Sequence, residues 1–343
     1  MAEMEHNTFA LQYFEYGEPS EVVDYVYKTK IFDLKDTEVL IKVLAAPINV
    51  ADLITIRGKY SIKPPLPAVP GNECVGKILA IGPNVQKLQI NDLVTPFKRG
   101  VGTWQSHLVL NEGELVKLPA EMGIAEAATI NVNPCTAYRM LKDFVDLKPG
   151  DTVFQNGANS ACGQIIIQLC RNWGVNCVCV VRDRPNIEQL RSYLMNLGAA
   201  HVMTAEELTQ TLVFNQFSAP VLGINCVGGE IATNMLQHMA NGSTFVTYGN
   251  MSGQPMQVSA PTFIYKDVRL KGYWMTRWTK ENPNSPERFK MFEELIKLTM
   301  EGKLRVPEHE LVDISTISFK HVFEQAAKAG GKVEKKYIMV FGH

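Results

Sequence analysis

The stretch TVFQNGANSACGQIIIQLCRNWGVNCVCVVRDR, residues 152–184, places small residues at a turn, an apolar helical run after it and charges at its far end. Strand, tight turn and helix in that order bring backbone N–H groups and a helix N-terminus to a pyrophosphate, the geometry a dinucleotide needs. Gly157 and Gly163 frame the turn. Ser160 and Ala161 stand where glycine is usual, so glycine count alone is a weak signal and an ordinary α/β turn stays open. The second apolar run ends in Arg182-Asp183-Arg184, about 20 residues past Gly163, where NAD-binding chains offer a carboxylate to the ribose hydroxyl. Two guanidinium forks suit a 2′-phosphate, which favours NADPH over NADH. Asp183 leaves NAD use open, and a solvated charge cluster closing a strand has the same composition.

A second stretch, RGKYSIKPPLPAVPGNECVGKI (57–78), sets Tyr60 after a glycine turn and Asn72 between Gly71 and Glu73. A phenol with a reference pKa of ~10 keeps its proton at neutral pH and can act as an acid, although a single tyrosine serves equally for packing. The seven histidines are scattered, and His107 reads as a strand residue. Cys177 and Cys179 alternate along an apolar run, as core residues do. No closely spaced cysteine set or Cys–His pair has zinc-ligand spacing, so no metal is expected. The odd count of seven cysteines argues against a complete disulfide framework and for a reduced compartment.

These residues need elements to position them. Up to about residue 130 the chain shows short β-type runs (38–43, 76–81, 107–110) broken by Gly, Pro and Asn, which predicts a β-rich lobe. From Lys148 the rhythm becomes strand–helix–strand: strands at 152–156, 176–181, 221–227 and 244–248, helices near 161–173, 187–197 and 230–240. That repetition implies a parallel sheet. Apolar spacing over 285–302, with Pro286 in the first turn, predicts a late helix, and 337–341 a closing strand. The expected division is residues 1–130, then 131–275 for the dinucleotide lobe, then a return to the first lobe over 276–343.

At 343 residues, roughly 75% of the unfolded surface can be buried, enough for two lobes. The 34 basic and 35 acidic residues give a net charge of -1, without the excess that attracts nucleic acid or an anionic membrane, so a small-molecule substrate is expected. No apolar stretch approaches the roughly 20 residues that span a bilayer. MAEMEHNTFA has neither a secretory core nor an arginine-rich transit pattern, as expected of a mature, trimmed or cytosolic form.

AAPINVADL, RGKY, PAVPGNE, NVNPCTAYRML and KPGDTVFQNGANSACGQ together resemble the medium-chain dehydrogenase/reductase superfamily. NPCTAYRML, VVRDRP, NCVGG, VTYGNM and the C-terminal lysine segment resemble, more narrowly, its zinc-free mitochondrial trans-2-enoyl-thioester reductases. The resemblance implies an α/β chain with a GroES-like β-rich catalytic lobe and a doubly wound parallel-sheet (Rossmann) cofactor lobe. Zinc members ligate metal through a Cys and a His; here Asn72 replaces the His, and Pro47-Ile48-Asn49 lacks the Cys.

By the same resemblance the enzyme reduces a 2-enoyl thioester, on coenzyme A or acyl carrier protein, with NADPH. Hydride goes to the β carbon, and Tyr60 occupies the position of the tyrosine that protonates the α carbon. Asn133 matches a nicotinamide-side asparagine, and Asn159, Ser160, Ala161 and Cys162 match the pyrophosphate loop, with Ala161 replacing a glycine. Tyr248, Gly249, Asn250 and Met251 match a loop over the nicotinamide ribose. Tyr273, Trp274 and Met275 match the nicotinamide and acyl flank, and Lys336 a late lysine; Arg182, Asp183 and Arg184 complete the cofactor set. Arg277 and Lys280 are either phosphate contacts or surface charge. A homodimer and a mitochondrial home are also implied. The rival readings are a zinc-free quinone or enal reductase and a nucleotide-binding protein without turnover. If 131–133 is extended, Asn131 faces the acyl region beside Asn133 and limits chain length; a turn residue bonded to backbone is the alternative.

Overall fold

The computed structural model describes residues 4–315, 317–328 and 335–342. Met4–Tyr13 (β1) and Val23–Phe32 (β2), joined through the short helix Pro19–Val22 (α1), pair antiparallel over ten residues, Met4 opposite Phe32 and Tyr13 opposite Val23. There follow Glu38–Pro47 (β3), Val50–Ile56 (α2), Val75–Ile81 (β4), Leu93–Pro96 (β5), His107–Asn111 (β6), Leu115–Lys117 (β7) and Ile124–Thr129 (α3).

The chain then alternates as the apolar pattern requires: Asn133–Asp143 (α4), Thr152–Asn156 (β8), Ala161–Asn172 (α5), Asn176–Val181 (β9), Ile187–Leu197 (α6), His201–Thr204 (β10), Leu222–Asn225 (β11), Gly229–Gln237 (α7), Thr244–Thr247 (β12), Ala260–Ile264 (α8) and Arg269–Gly272 (β13). Met275–Glu281 (α9) and Pro286–Met300 (α10) follow, the latter opened by Pro286 and by Ser285, whose hydroxyl accepts from Arg288 N at 3.3 Å. The six strands form one parallel sheet in the order β10-β9-β8-β11-β12-β13, the doubly wound order, in which chain direction across the sheet reverses between β8 and β11. Its core joins Phe154, Val178, Val180, Met203, Met235 and Phe245.

His309–Asp313 (β14), Phe319–Lys328 (α11) and Lys336–Val340 (β15) close the chain. They complete a seven-stranded sheet, β14-β15-β3-β4-β5-β7, with β6 also on β3. Trp104, fully buried, stacks on Phe323 at 5.2 Å within this core. Among the described residues no helix is long and apolar enough to cross a membrane.

Two compact units result, Met1–Val132 with Val306–His343, and Asn133–Arg305. The expected return at 276 is therefore corrected to 306. The polar run 281–285 is a joint between two helices of the same unit, and α10 stays because Glu294 accepts from Tyr138 Oη at 2.7 Å and Trp173 Nε1 at 3.0 Å. Arg305 exchanges two backbone bonds, 2.8 and 3.1 Å, with the Gln168 amide.

Candidate functional site

In the second unit the dinucleotide turn is built largely from backbone. Gly157 has φ +61, and a Cβ there would lie 2.5 Å from Cys226 Sγ. On Gly163 a Cβ would come within 2.7 Å of the Ala158 Cα and the Gly157 and Ala158 carbonyl oxygens, so both glycines are needed despite the incomplete fingerprint. Ser160 is the N-cap of α5, its hydroxyl accepting from Gly163 N at 3.1 Å, which explains a serine where glycine is usual. Ala161 and Cys162 open the helix, whose first-turn N–H groups point at whatever lies beyond its end. Asn159 is half-buried and its carbonyl accepts from Gln164 Nε2 at 2.9 Å.

Two asparagines not singled out in the sequence hold this turn. Asn156 and Asn225 end β8 and β11, the strands that flank the reversal, and both are buried. Asn156 Nδ2 donates to Asn225 Oδ1 at 2.7 Å; Asn156 Oδ1 accepts from Cys226 N at 2.8 Å and Asn225 Oδ1 from Gly228 N at 2.9 Å. Asn225 Nδ2 also reaches Thr247 Oγ1 at 3.1 Å, so three strand tips are joined. An amide at the carboxyl end of two apolar runs was the available signal.

The loop Tyr248, Gly249, Asn250, Met251 packs on 225–228: Tyr248 N donates to Asn225 O and Met251 N to Cys226 O, both at 2.9 Å. Tyr248 neighbours the Cys162 thiol in the first turn of α5, and burial, then the Cys162 and Cys226 thiols, pushes its phenol well above the ordinary pKa. Asn133 begins α4, and its carbonyl lies 4.0 Å from Cys162 Sγ. Arg182 and Asp183 are exposed and Arg184 half-buried at the end of β9, the strand beside β8. Tyr273 and Met275 are buried, the Tyr273 hydroxyl 2.8 Å from Met275 Sδ and its ring edge-on to Phe144, while Trp274 is half-buried. Arg277 and Lys280 are exposed. The residues expected at the pyrophosphate and ribose thus converge, and a nicotinamide dinucleotide fits their chemistry: small residues, a helix N-terminus and two arginines.

Tyr60 and Lys336 lie in the first unit. Tyr60 is half-buried, just past a turn in which Gly58, at φ +66, follows α2. At the other end of α2 lies a cluster of buried polar groups. Asn49 caps the helix and Asp52 caps Asn49 in return, Oδ2 accepting from Asn49 N at 2.8 Å. Asn72 Nδ2 donates to Asp52 Oδ1 at 2.6 Å. Glu73 accepts from Asn49 Nδ2 at 2.9 Å and Val132 N at 2.7 Å, and Lys336 Nζ donates to Asn49 Oδ1 at 2.7 Å. Burial pushes the Asp52 carboxyl up to about 7, raises Glu73 and lowers Lys336; the Glu73 carboxylate adds to the Asp52 shift, while attraction between Lys336 and the two carboxyl groups opposes all three. The asparagine that replaces a metal-ligating histidine is thus a donor to a carboxylate, and among the described residues no three His, Cys, Asp or Glu side chains are placed to hold a metal ion.

Asn131 departs from its expectation. Residues 131–132 form a turn leading into α4, not an extended segment; the Asn131 side chain is buried, with Nδ2 donating to Pro96 O at 2.8 Å. It is a structural residue bonded to backbone, and the chain-length role is withdrawn.

Residues 35–120 match the alcohol dehydrogenase GroES-like domain and residues 161–297 the zinc-binding dehydrogenase family. The chain is 43% identical over 302 residues to the mitochondrial enoyl-(acyl-carrier-protein) reductase of Homo sapiens, covering 87% of this chain and 80% of that protein. Among solved structures it is similar to the Etr1p/NADP/crotonyl-CoA complex, with TM-score 0.88 and 30% identity over 98% of this chain and 100% of that one. It is similar too to the mitochondrial 2-enoyl thioester reductase Etr1p/Etr2p heterodimer from Candida tropicalis, with TM-score 0.87, 30% identity and the same coverage. The chain accordingly belongs to the mitochondrial enoyl-(acyl-carrier-protein) reductase family, within the medium-chain dehydrogenase/reductases.

Proposed function

We infer that this protein reduces the carbon–carbon double bond of trans-2-enoyl thioesters with NADPH, giving the acyl thioesters of fatty acid synthesis. The observation that carries the reading is the likeness, over 98% of the chain, to a reductase solved with NADP and crotonyl-CoA. NADPH, when bound, supplies hydride to the β carbon of the substrate. The chain's own task is to hold the coenzyme and to deliver a proton to the α carbon of the resulting enolate. Asn159, Ser160, Ala161 and Cys162 hold the pyrophosphate at the N-terminus of α5. Arg182 and Arg184 take the 2′-phosphate, with Asp183 between them. Tyr248, Gly249, Asn250 and Met251 hold the nicotinamide ribose, and Asn133, Tyr273, Trp274 and Met275 the nicotinamide. Lys336, its ammonium on Asn49, contributes positive charge. Tyr60 gives its hydroxyl proton to the α carbon.

Oxidation of NADPH, followed with crotonyl-CoA, hexenoyl-CoA and a quinone in parallel, tests the reading: turnover is expected with the enoyl thioesters, and faster turnover of the quinone would displace it. Tyr60→Phe should fold, bind NADPH and lose about 10²–10⁴-fold in enoyl reduction. We further place the protein in mitochondria as a homodimer. Its mitochondrial relatives support the location and the solved Etr1p/Etr2p heterodimer supports a two-chain assembly; cell fractionation and sedimentation test both.

A further inference from the structure

The turn that carries Tyr60 is gripped by a segment more than forty positions earlier, residues 16–18, through five contacts. Gly17 N donates to Ile56 O, the last residue of α2, at 3.2 Å. Glu18 forks onto Arg57, with Oε2 accepting from Nη2 at 2.8 Å and Oε1 from Nε at 2.9 Å. The Tyr16 ring lies against Gly58, so closely that a Cβ on Gly58 would come within 2.9 Å of Tyr16 Cγ. Beyond Tyr60, the Tyr16 hydroxyl donates to Pro64 O at 2.9 Å, and Lys63 Nζ lies 5.9 Å from the same ring.

These contacts fall on both flanks of Tyr60. The helix itself reaches only one: Gly58 N donates to Thr55 O and Lys59 N to Ile54 O, at 2.9 and 3.0 Å, and residues 61–64 belong to no helix or strand. A loop held at one end sweeps its side chain, whereas a loop held at both ends fixes it. An exposed ion pair such as Glu18–Arg57 adds little to stability, and both Tyr16 and Glu18 are exposed. What the five contacts do share is the segment that brackets the phenol. We propose that Tyr16 and Glu18 are positioning residues for the proton donor, acting through Tyr60 and not on the substrate.

The proposal rests on the reading of Tyr60 as donor, and the experiment separates the two. Tyr16→Phe with Glu18→Gln is made in the wild-type and in the Tyr60→Phe backgrounds, and kcat and KM are measured with crotonyl-CoA and NADPH, with melting temperature as a check on folding. Misplacing an acid by about 1 Å costs on the order of 10²-fold, so partial loosening should lower kcat at least about tenfold in the wild-type background. The KM for NADPH and the melting temperature should hardly move. In the Tyr60→Phe background the same pair should have no further effect. Exchanging the charges, Glu18→Arg with Arg57→Glu, should keep most of the activity that Glu18→Arg alone loses. Undiminished kcat in the wild-type background, or an equal further loss in the Tyr60→Phe background, overturns the positioning role. Undiminished turnover by Tyr60→Phe alone overturns the donor reading and the positioning role with it.

Discussion

The dinucleotide turn of the second unit and the polar cluster of the first hold their parts by opposite means. The turn draws on eight consecutive residues, 156–163, and works through space: glycines where a Cβ would strike backbone or sulfur, and amides that tie strand tips together. The cluster joins residues as far apart as Asn49 and Lys336, 287 positions, and works through charge: two buried carboxyl groups and one buried ammonium around an asparagine. A site made of space should fail when volume is added. A site made of charge should fail when a partner is removed.

The largest expected effect lies in the cluster. Lys336→Met leaves Asp52 and Glu73 buried without their ammonium, which should cost about 3–5 kcal/mol of stability in chemical denaturation. Adding Glu73→Gln should recover part of that loss, because one uncompensated charge goes with it. A cost of Lys336→Met below about 1 kcal/mol, the range of exposed pairs, would break the contrast. Gly163→Ala should come next, with overpacking of about 1–3 kcal/mol at the turn. Here the readout is weaker NADPH binding by calorimetry, and unchanged affinity would mean that the turn adapts its backbone.

Arg182→Ala with Arg184→Ala sharpens the same comparison at the end of β9, where Arg182 is exposed and Arg184 half-buried. The preference for NADPH over NADH should fall by about tenfold or more, about 1.4 kcal/mol, and equal losses for the two coenzymes would remove the arginines from 2′-phosphate recognition. The smallest effect is a pH dependence. With a carboxyl pKa of about 7 in the folded chain, against ~3.9 unfolded, Asp52 binds more protons folded than unfolded across that interval. Its contribution therefore makes stability fall as pH rises from about 4 to 7 and level off above. Glu73, also raised, acts in the same direction. Asp52→Asn should flatten part of this limb in a denaturation series across pH; a slope identical to the wild type would place the titration elsewhere.

The same contrast decides what the sequence revealed. The turn was legible because its strand, glycines, helix and arginines follow one another, and the period of the apolar residues located β8, α5, β9, α6, β11, α7 and β12, though not the edge strands β10 and β13. The cluster was not: Asp52 and Glu73 look like ordinary surface acids until β15 pairs with β3, Ile338 opposite Pro47, and brings Lys336 to Asn49. Asn131 was misread because alternation was assumed across a turn that leads into a helix. The boundary at 275 was misplaced because residues 281–285 have linker composition yet only separate α9 from α10, and the side-chain bonds of Glu294 that keep α10 in place leave no local mark.

The pairing of β15 with β3 also sets an order on synthesis. When Glu73 is added to the nascent chain, the strand that carries its ammonium partner is still more than two hundred and fifty codons away, roughly 10–50 s at about 5–20 residues per second. The second unit, a continuous segment, can fold in that interval, while the first must wait with two acidic side chains hydrated rather than buried. Closure of the seven-stranded sheet therefore waits for β15, and a chain stalled short of Lys336 would present an unfinished edge on β3 to the chaperones.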